Sequence, residues 1–296
     1  MNFTTTLLHT PPLPHHHHHH HHQTPLKPHH LRRTLLLTTP LLTLPTPLSS
    51  ATTTPSPDTT ITDRLFMDFS ICPSFFQSRN LGSSLSQCED TQLLGRVILG
   101  LYGNLVPITA SNFKAMVTGT SGSCYKGTLV HKIFPGKFFM AGKQGRNKGE
   151  VSPPVKMVRN VESVSAKAFE LRHSKGGVLS LCLAENDDED EVKLGNEYHN
   201  VEFLITTGPG PVPDLDSKNI VFGAVLEGLD VVTSIAAIPT YKPGERIRQY
   251  NELAEFFGDE RAKNARAIWN KPLQTVYISD CGVLKVAKTT LSPTLP

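Results

Sequence analysis

"GRVILGLYGNLVPITASNFKAMVTG", residues Gly95–Gly119, joins two kinds of periodicity in one short run. Gly95–Gly103 is an apolar stretch bounded by glycines, which predicts a strand. Pro107 then opens a helix, because its missing N–H would have no partner in the first helical turn. Ala110, Phe113 and Val117 recur at helical spacing and give one apolar face. Gly119 is placed to end the helix in a left-handed cap.

Strand signals continue on both sides. "RLFMDFSI" (Arg64–Ile71) alternates apolar and polar residues, as a half-buried strand does. Downstream lie "GGVLSLCLA" (176–184), "VEFLITT" (201–207), "NIVFGAVLEG" (219–228) and "LQTVYISDCGVL" (273–284). "LDVVTSIAAI" (229–238) carries apolar residues at 229, 232, 235 and 236, a second helical face. Many short strands with a helix near each end predict a mainly β protein, a closed barrel capped by helices. Residues 239–272 interrupt this pattern with a charged helix in which Leu253, Phe256 and Phe257 are expected to pack on the body.

Composition sets the limits. The chain has 296 residues, and residues 1–57 hold no Asp or Glu, Asp58 being the first acid. The leader is rich in Thr, Pro, Leu and His and cannot build a core. About 230 residues remain from Asp63 on, enough for one domain. Lys27, Arg32 and Arg33 are the leader's only Lys or Arg residues; removing them from the 29 Lys and Arg leaves 26, against 26 Asp and Glu. A neutral body argues against nucleic acid held through phosphate contacts. The five cysteines (72, 88, 124, 182, 281) have no zinc spacing. They read as free thiols, with a Cys72–Cys88 disulfide open in an oxidising compartment.

The leader reads as an address. Acid-poor, hydroxyl-rich N-termini are typical of organelle transit peptides. Within it, Arg32-Arg33 precede an apolar stretch and then Ser49-Ser50-Ala51, the pattern of a twin-arginine export signal. The two together resemble the bipartite leader of proteins sent to the thylakoid lumen, with stroma as the alternative. Residues 1–51 are expected to be removed, 52–62 to be a linker and 287–296 a flexible tail. Prolines at 40, 45 and 47 make the stretch a poor membrane span. The His15–His22 run lies in the part expected to be lost and offers no fixed metal geometry. The acidic run 185–191, "ENDDEDE", lacks the glycine-centred spacing of a calcium loop.

Residues 129–143, "LVHKIFPGKFFMAGK", pose the functional question. Two apolar runs flank a Pro-Gly turn, a hairpin-like pair of strands, yet Lys132, Lys137 and Lys143 sit among them. Charged side chains do not belong on a core face unless paired.

The order of elements, together with "GRVILGLYGNLVPITASNFKAMVTG", "YKGTLVHKIFPGKFFMAG", "GGVLSLCLA", "EFLITT" and "NIVFGAVLEGLDVVTSI", resembles the cyclophilin family of peptidyl-prolyl isomerases. The likeness covers about Arg64 to Leu284, within a domain expected over 63–286, with insertions at 72–93, 185–200 and 239–272. It looks like a plant plastid member. The resemblance implies an eight-stranded antiparallel barrel capped by two helices, with an extra helical insertion here, no cofactor and no metal. It also implies proline-containing polypeptide segments or a chloroplast protein as partner. A monomer is expected.

It further implies where the site lies. Lys132 stands in place of the family's catalytic Arg and Met140 in place of its Gln. Lys137 replaces a pocket Phe and is followed by Phe138; Leu204 replaces a second pocket Phe, while Phe203 matches. Cys182-Leu183 take the Ala-Asn pair that contacts bound peptide. Leu215 matches the pocket Leu, Asp214 takes the place of a Trp and Asn219 that of a His. Lysine offers a point charge where arginine offers a planar fork of donors. Two readings follow: an isomerase with weak catalysis, or an inactive scaffold that binds a partner through the altered groove or the insertions.

Overall fold

The computed structural model describes residues 56–73, 90–183 and 199–284. The leader, residues 74–89 including Cys88, the acidic run and the tail lie outside the described residues. Cys72 is disulfide-bonded.

Eight strands form one antiparallel sheet: β1 (Asp63–Cys72), β2 (Gln92–Leu101), β3 (Val130–Phe134), β4 (Phe138–Ala141), β5 (Val178–Leu181), β6 (Phe203–Thr206), β7 (Ile220–Glu227) and β8 (Thr275–Val283). Their spatial order is β3-β4-β6-β5-β7-β2-β1-β8. The two ends meet: Leu129 bridges Tyr277, Gly127 N–H donates to the Ile278 carbonyl at 2.7 Å, and Ile278 N–H donates to that of Thr128 at 2.9 Å. Closing the sheet removes most of its exposed edge.

The helix predicted after Pro107 is α1, Pro107–Thr118, and it ends as expected with Gly119 at φ 74°. Its N-terminal amides have a remote cap. Glu162 accepts from the Ile108 and Thr109 amides at 2.8 Å each, which places a carboxylate at the positive end of the helix. Phe113 reaches from α1 into the barrel, where its ring meets Tyr125, Phe203 and Phe222 at centroid distances of 5.3, 5.2 and 4.8 Å. The second helix, α2 (Leu229–Ala236), follows Gly228, whose φ is 85°. A Cβ there would lie 2.3 Å from the Arg96 carbonyl oxygen, so only glycine fits. The buried side of α2 is Val231, Val232 and Ile235, while Leu229 is exposed.

The insertion departs from the sequence reading. It holds two helices, α3 (Glu245–Phe256) and α4 (Glu260–Ala267). Gly258, at φ 80°, turns the chain between them, and Asp259 caps α4 by accepting from the Arg261 amide at 2.9 Å. Arg266 of α4 pairs with Glu255 of α3 at 2.8 Å. Leu253, Phe256 and Phe257 do not pack on the body: they are 54, 83 and 76% exposed. The face of α3 turned inward carries Asn251 and part of Ala254 and Glu255 instead. Ile247 and Tyr250 are exposed as well, so an apolar stripe faces outward. The stem is a short ladder, with Tyr241 N–H donating to the Lys271 carbonyl and Leu273 N–H to that of Pro239. Asn270 accepts from the Ile133 amide at 2.8 Å, which docks the insertion on the outer edge of β3.

These placements separate two sets of phenylalanines. Phe113→Ala should destabilise the protein by about 3–5 kcal/mol in denaturant unfolding, as cavity formation in an aromatic core does. Phe256→Ser and Phe257→Ser should each stay within about 0.5 kcal/mol of the parent.

Candidate active site on the outer face of the barrel

Side chains alternate across a strand, and the alternation in β4 and β6 divides core from site. Phe139, Ala141, Phe203 and Ile205 point into the barrel core. Met140 and Leu204 point to the other face and belong to a separate apolar cluster with Cys182, Val212 and Leu215. Phe134 and Phe138 pack against it, their rings stacked at 4.5 Å.

The registers build one lateral row. Lys132 lies opposite Met140, Met140 opposite Leu204, and Leu204 opposite Ser180. A register shift between Val130 and Lys132 leaves His131 in a bulge. Its Nε2 is 2.6 Å from Oε1 of Glu202, which precedes β6, and both groups are largely buried. Lys132 is 3% exposed, so the cation sits within the face, not on a free surface.

A 3-10 turn, Pro213–Leu215, lays Leu215 on the cluster. Beside it, Lys137 Nζ and Asp214 Oδ2 form an exposed ion pair at 3.1 Å. These two positions are where the sequence resemblance expects aromatic rings. An exposed pair of this kind contributes at most about 1 kcal/mol.

Two groups hold the turn in place. Asn219 is buried; its Oδ1 accepts from the Leu183 amide at 3.0 Å and its Nδ2 donates to the Leu215 carbonyl at 3.3 Å. On the other side, Asp216 Oδ1 accepts from both the amide and Nδ1 of His173 at 2.8 Å, while the His173 carbonyl accepts from the Val212 amide at 2.8 Å. Burial raises the Asp216 carboxyl, but the His173 hydrogen bonds outweigh it and hold the group below its ordinary range. Burial pushes His173 down against the upward pull of Asp216. The ionised Asp216 only accepts, so Nδ1 carries the proton and Nε2 is left buried without a partner among the described residues. Protonating Nε2 would bury an unpaired N–H.

The residues named from sequence therefore divide. Lys132, Met140, Phe138, Cys182, Leu204 and Leu215 share the outer face, Lys137 stands at its rim, and Asn219 supports it from beneath. Phe203 does not join them: it is fully buried among Phe113 and Tyr125 inside the barrel. Leu183 lines a different cavity, about 450 Å³, with Asn112, Met157, Asn160, His199 and Asn200. Phe134, Val212, Glu202 and the His173–Asp216 pair were not singled out beforehand. Phe134 was findable, since it shares β3's outer parity with Lys132. Among the described residues, no group of three or more His, Cys, Asp or Glu is placed to hold a metal.

Comparison with known proteins places this geometry in context. Residues 87–283 match the family model for cyclophilin-type peptidyl-prolyl cis-trans isomerases. A relative from Arabidopsis thaliana, "Peptidyl-prolyl cis-trans isomerase CYP28, chloroplastic", is 61% identical over 248 residues, covering 82% of this chain and 88% of the relative. A "Peptidyl-prolyl cis-trans isomerase" of Encephalitozoon cuniculi is 34% identical over 143 residues, covering 48% and 74%.

The buried His173 gives a pH signature. Its folded pKa lies below the unfolded value of about 6.5, so the unfolded chain binds more protons near that pH. The stability it contributes is complete above about 6.5 and is lost as pH falls through that value toward the folded pKa. Urea unfolding from pH 7.5 to 5.5 should show this loss in the parent and a flatter profile in His173→Gln.

Proposed function

The chain belongs to the cyclophilin-type peptidyl-prolyl cis-trans isomerases, and from that premise we propose a chloroplast folding helper that grips proline segments but isomerises them slowly. The observation that carries the reading is the row Lys132–Met140–Leu204 on the outer face. The reacting positions implied by the resemblance are assembled side by side, with a lysine and a methionine in them.

The reaction rotates an X–Pro amide against a barrier of about 18–20 kcal/mol. No covalent intermediate is required; a donor aimed at the prolyl nitrogen favours the twisted state by withdrawing the lone pair from resonance. Lys132 supplies one charged donor without the fixed fork of a guanidinium, and its burial in the face restricts how it meets a substrate. Met140 offers no amide to hold a substrate backbone, a loss of about 1 kcal/mol for each hydrogen bond. The apolar wall of Phe138, Leu204, Val212 and Leu215 remains for a proline ring, narrowed at the rim by the Lys137–Asp214 pair.

Chloroplast placement is supported by the acid-poor leader and by the relative whose name carries "chloroplastic". The paired arginines and the Ser-Ser-Ala site support the thylakoid lumen as the finer address, with residues 1–51 removed. N-terminal sequencing of the plastid protein checks this: a start near Thr52 is expected, and a start well upstream contradicts the lumen.

A second reading, partner binding through the insertion, is favoured by the outward stripe of Ile247, Tyr250 and Leu253 on α3, with Phe257 just past its end. Among the described residues nothing covers this stripe, and contiguous exposed apolar patches mark interaction surfaces.

Isomerisation of an X-Pro peptide distinguishes the readings. The parent should turn over slowly, and Lys132→Arg with Met140→Gln should raise kcat/KM by about tenfold or more. Robust parental turnover that Lys132→Ala leaves intact would remove Lys132 from the chemistry. No gain in the double variant would favour the insertion as the working surface.

A further inference from the structure

We propose that a second copy of this chain covers the apolar stripe of the insertion, two α3 helices lying antiparallel about a two-fold axis. The proposal rests on the second reading above, that the insertion is a binding surface, and names its occupant. It does not depend on what the outer face of the barrel does. The monomer expected from the resemblance concerns the barrel, and the insertion lies outside that likeness.

Spacing defines the stripe. At 3.6 residues per turn, Arg246, Tyr250, Leu253 and Phe257 fall along one side of α3, with Ile247 and Phe256 at its margins. Separations of four, three and four are those of a helix-pairing seam. The residues turned toward the body, Asn251 with Ala254 and Glu255, centre on another side, so docking the insertion on β3 leaves the stripe open.

Its area suits a pair of copies. Tyr250, Phe256 and Phe257 are 72, 83 and 76% exposed. At about 200 Å² for each ring residue, they alone leave about 450 Å² open. Ile247 and Leu253, both more than half exposed, bring the stripe to on the order of 600 Å² per copy. Two copies together would bury about 1,200 Å², the lower bound for a stable specific interface.

Charge selects the partner and the direction. The Phe256–Phe257 end is acidic, with Glu252, Glu255, Asp259 and Glu260. The other end carries Lys242, Arg246 and Arg248 against the single acid Glu245. Parallel copies would bring like ends together. Antiparallel copies stack Ile247 on Phe257 and Tyr250 on Leu253 of the second copy. They also set Arg246 beside the second copy's Phe257 and the acidic start of its α4, a cation near a ring and carboxylates. A two-fold contact needs a patch that complements itself, and this stripe does so in that one orientation. A membrane surface fits less well, because anionic headgroups would meet the acidic end, where the most exposed rings of the stripe stand.

Sedimentation equilibrium of the full chain tests the proposal. A monomer–dimer equilibrium is expected, with dimer predominant at about 100 µM. Leu253→Glu with Phe257→Ser should weaken dimerisation by about a hundredfold or more, while far-UV circular dichroism stays that of the parent, since both side chains are exposed. Arg246→Glu should weaken it about tenfold. A parent that stays monomeric at that concentration overturns the proposal and leaves the insertion open to a different protein. A dimer that the Leu253 and Phe257 substitutions do not weaken overturns it as well, by placing the contact elsewhere. An Arg246→Glu dimer as tight as the parent's overturns the antiparallel arrangement.

Discussion

The two-residue period of β4 and β6 is the constraint on which the rest of this molecule depends. One parity, Phe139 and Ala141 with Phe203 and Ile205, completes the barrel core. The other parity, Met140 with Leu204, builds the outer face. A slip of one residue would exchange them, placing Met140 inside and fully buried Phe203 in solvent. The ladder hydrogen bonds that pair β3 with β4 and β4 with β6 also align Lys132, Met140 and Leu204.

What this face can do follows from what stands on it. It has an apolar wall, proposed above to hold a proline ring, and Lys132 in the row where the resemblance places a donor to the prolyl nitrogen. It lacks a planar donor fork at Lys132 and an amide at Met140, and its rim carries an ion pair in place of aromatic bulk. In the proposed reading, binding draws on shape and buried area, which the apolar wall still offers. Rate enhancement draws on donors fixed toward the transition state, and in the proposed reading those are the features changed.

Much of the fold was legible in the sequence because its signals are local. Pro107 and Gly119 mark both ends of α1, and the strands around it announce themselves by alternation and bounding glycines. The insertion was misread because apolar residues at helical spacing predict a face without saying what covers it. Leu253 and Phe256 of α3 and Phe257 just past it form such a face, yet it points outward, and Gly258 divides one expected helix into two. The sequence resemblance named Lys132 and Met140 together, and the register sets them side by side on one face. The site was less legible where parity or a strand's end decides. Phe203 faces inward, and Leu183, past the end of β5, lines a separate cavity. The His173–Asp216 support joins residues 43 apart in sequence, and no local pattern announces it.

The central claim is that binding and catalysis have parted on this face. Exchange spectroscopy by NMR on an X-Pro peptide, saturated with the parental protein, tests it most directly. The account predicts shifted peptide resonances, showing occupancy, with cis–trans exchange close to its slow uncatalysed rate. Fast exchange between the two isomers in the bound peptide would contradict it.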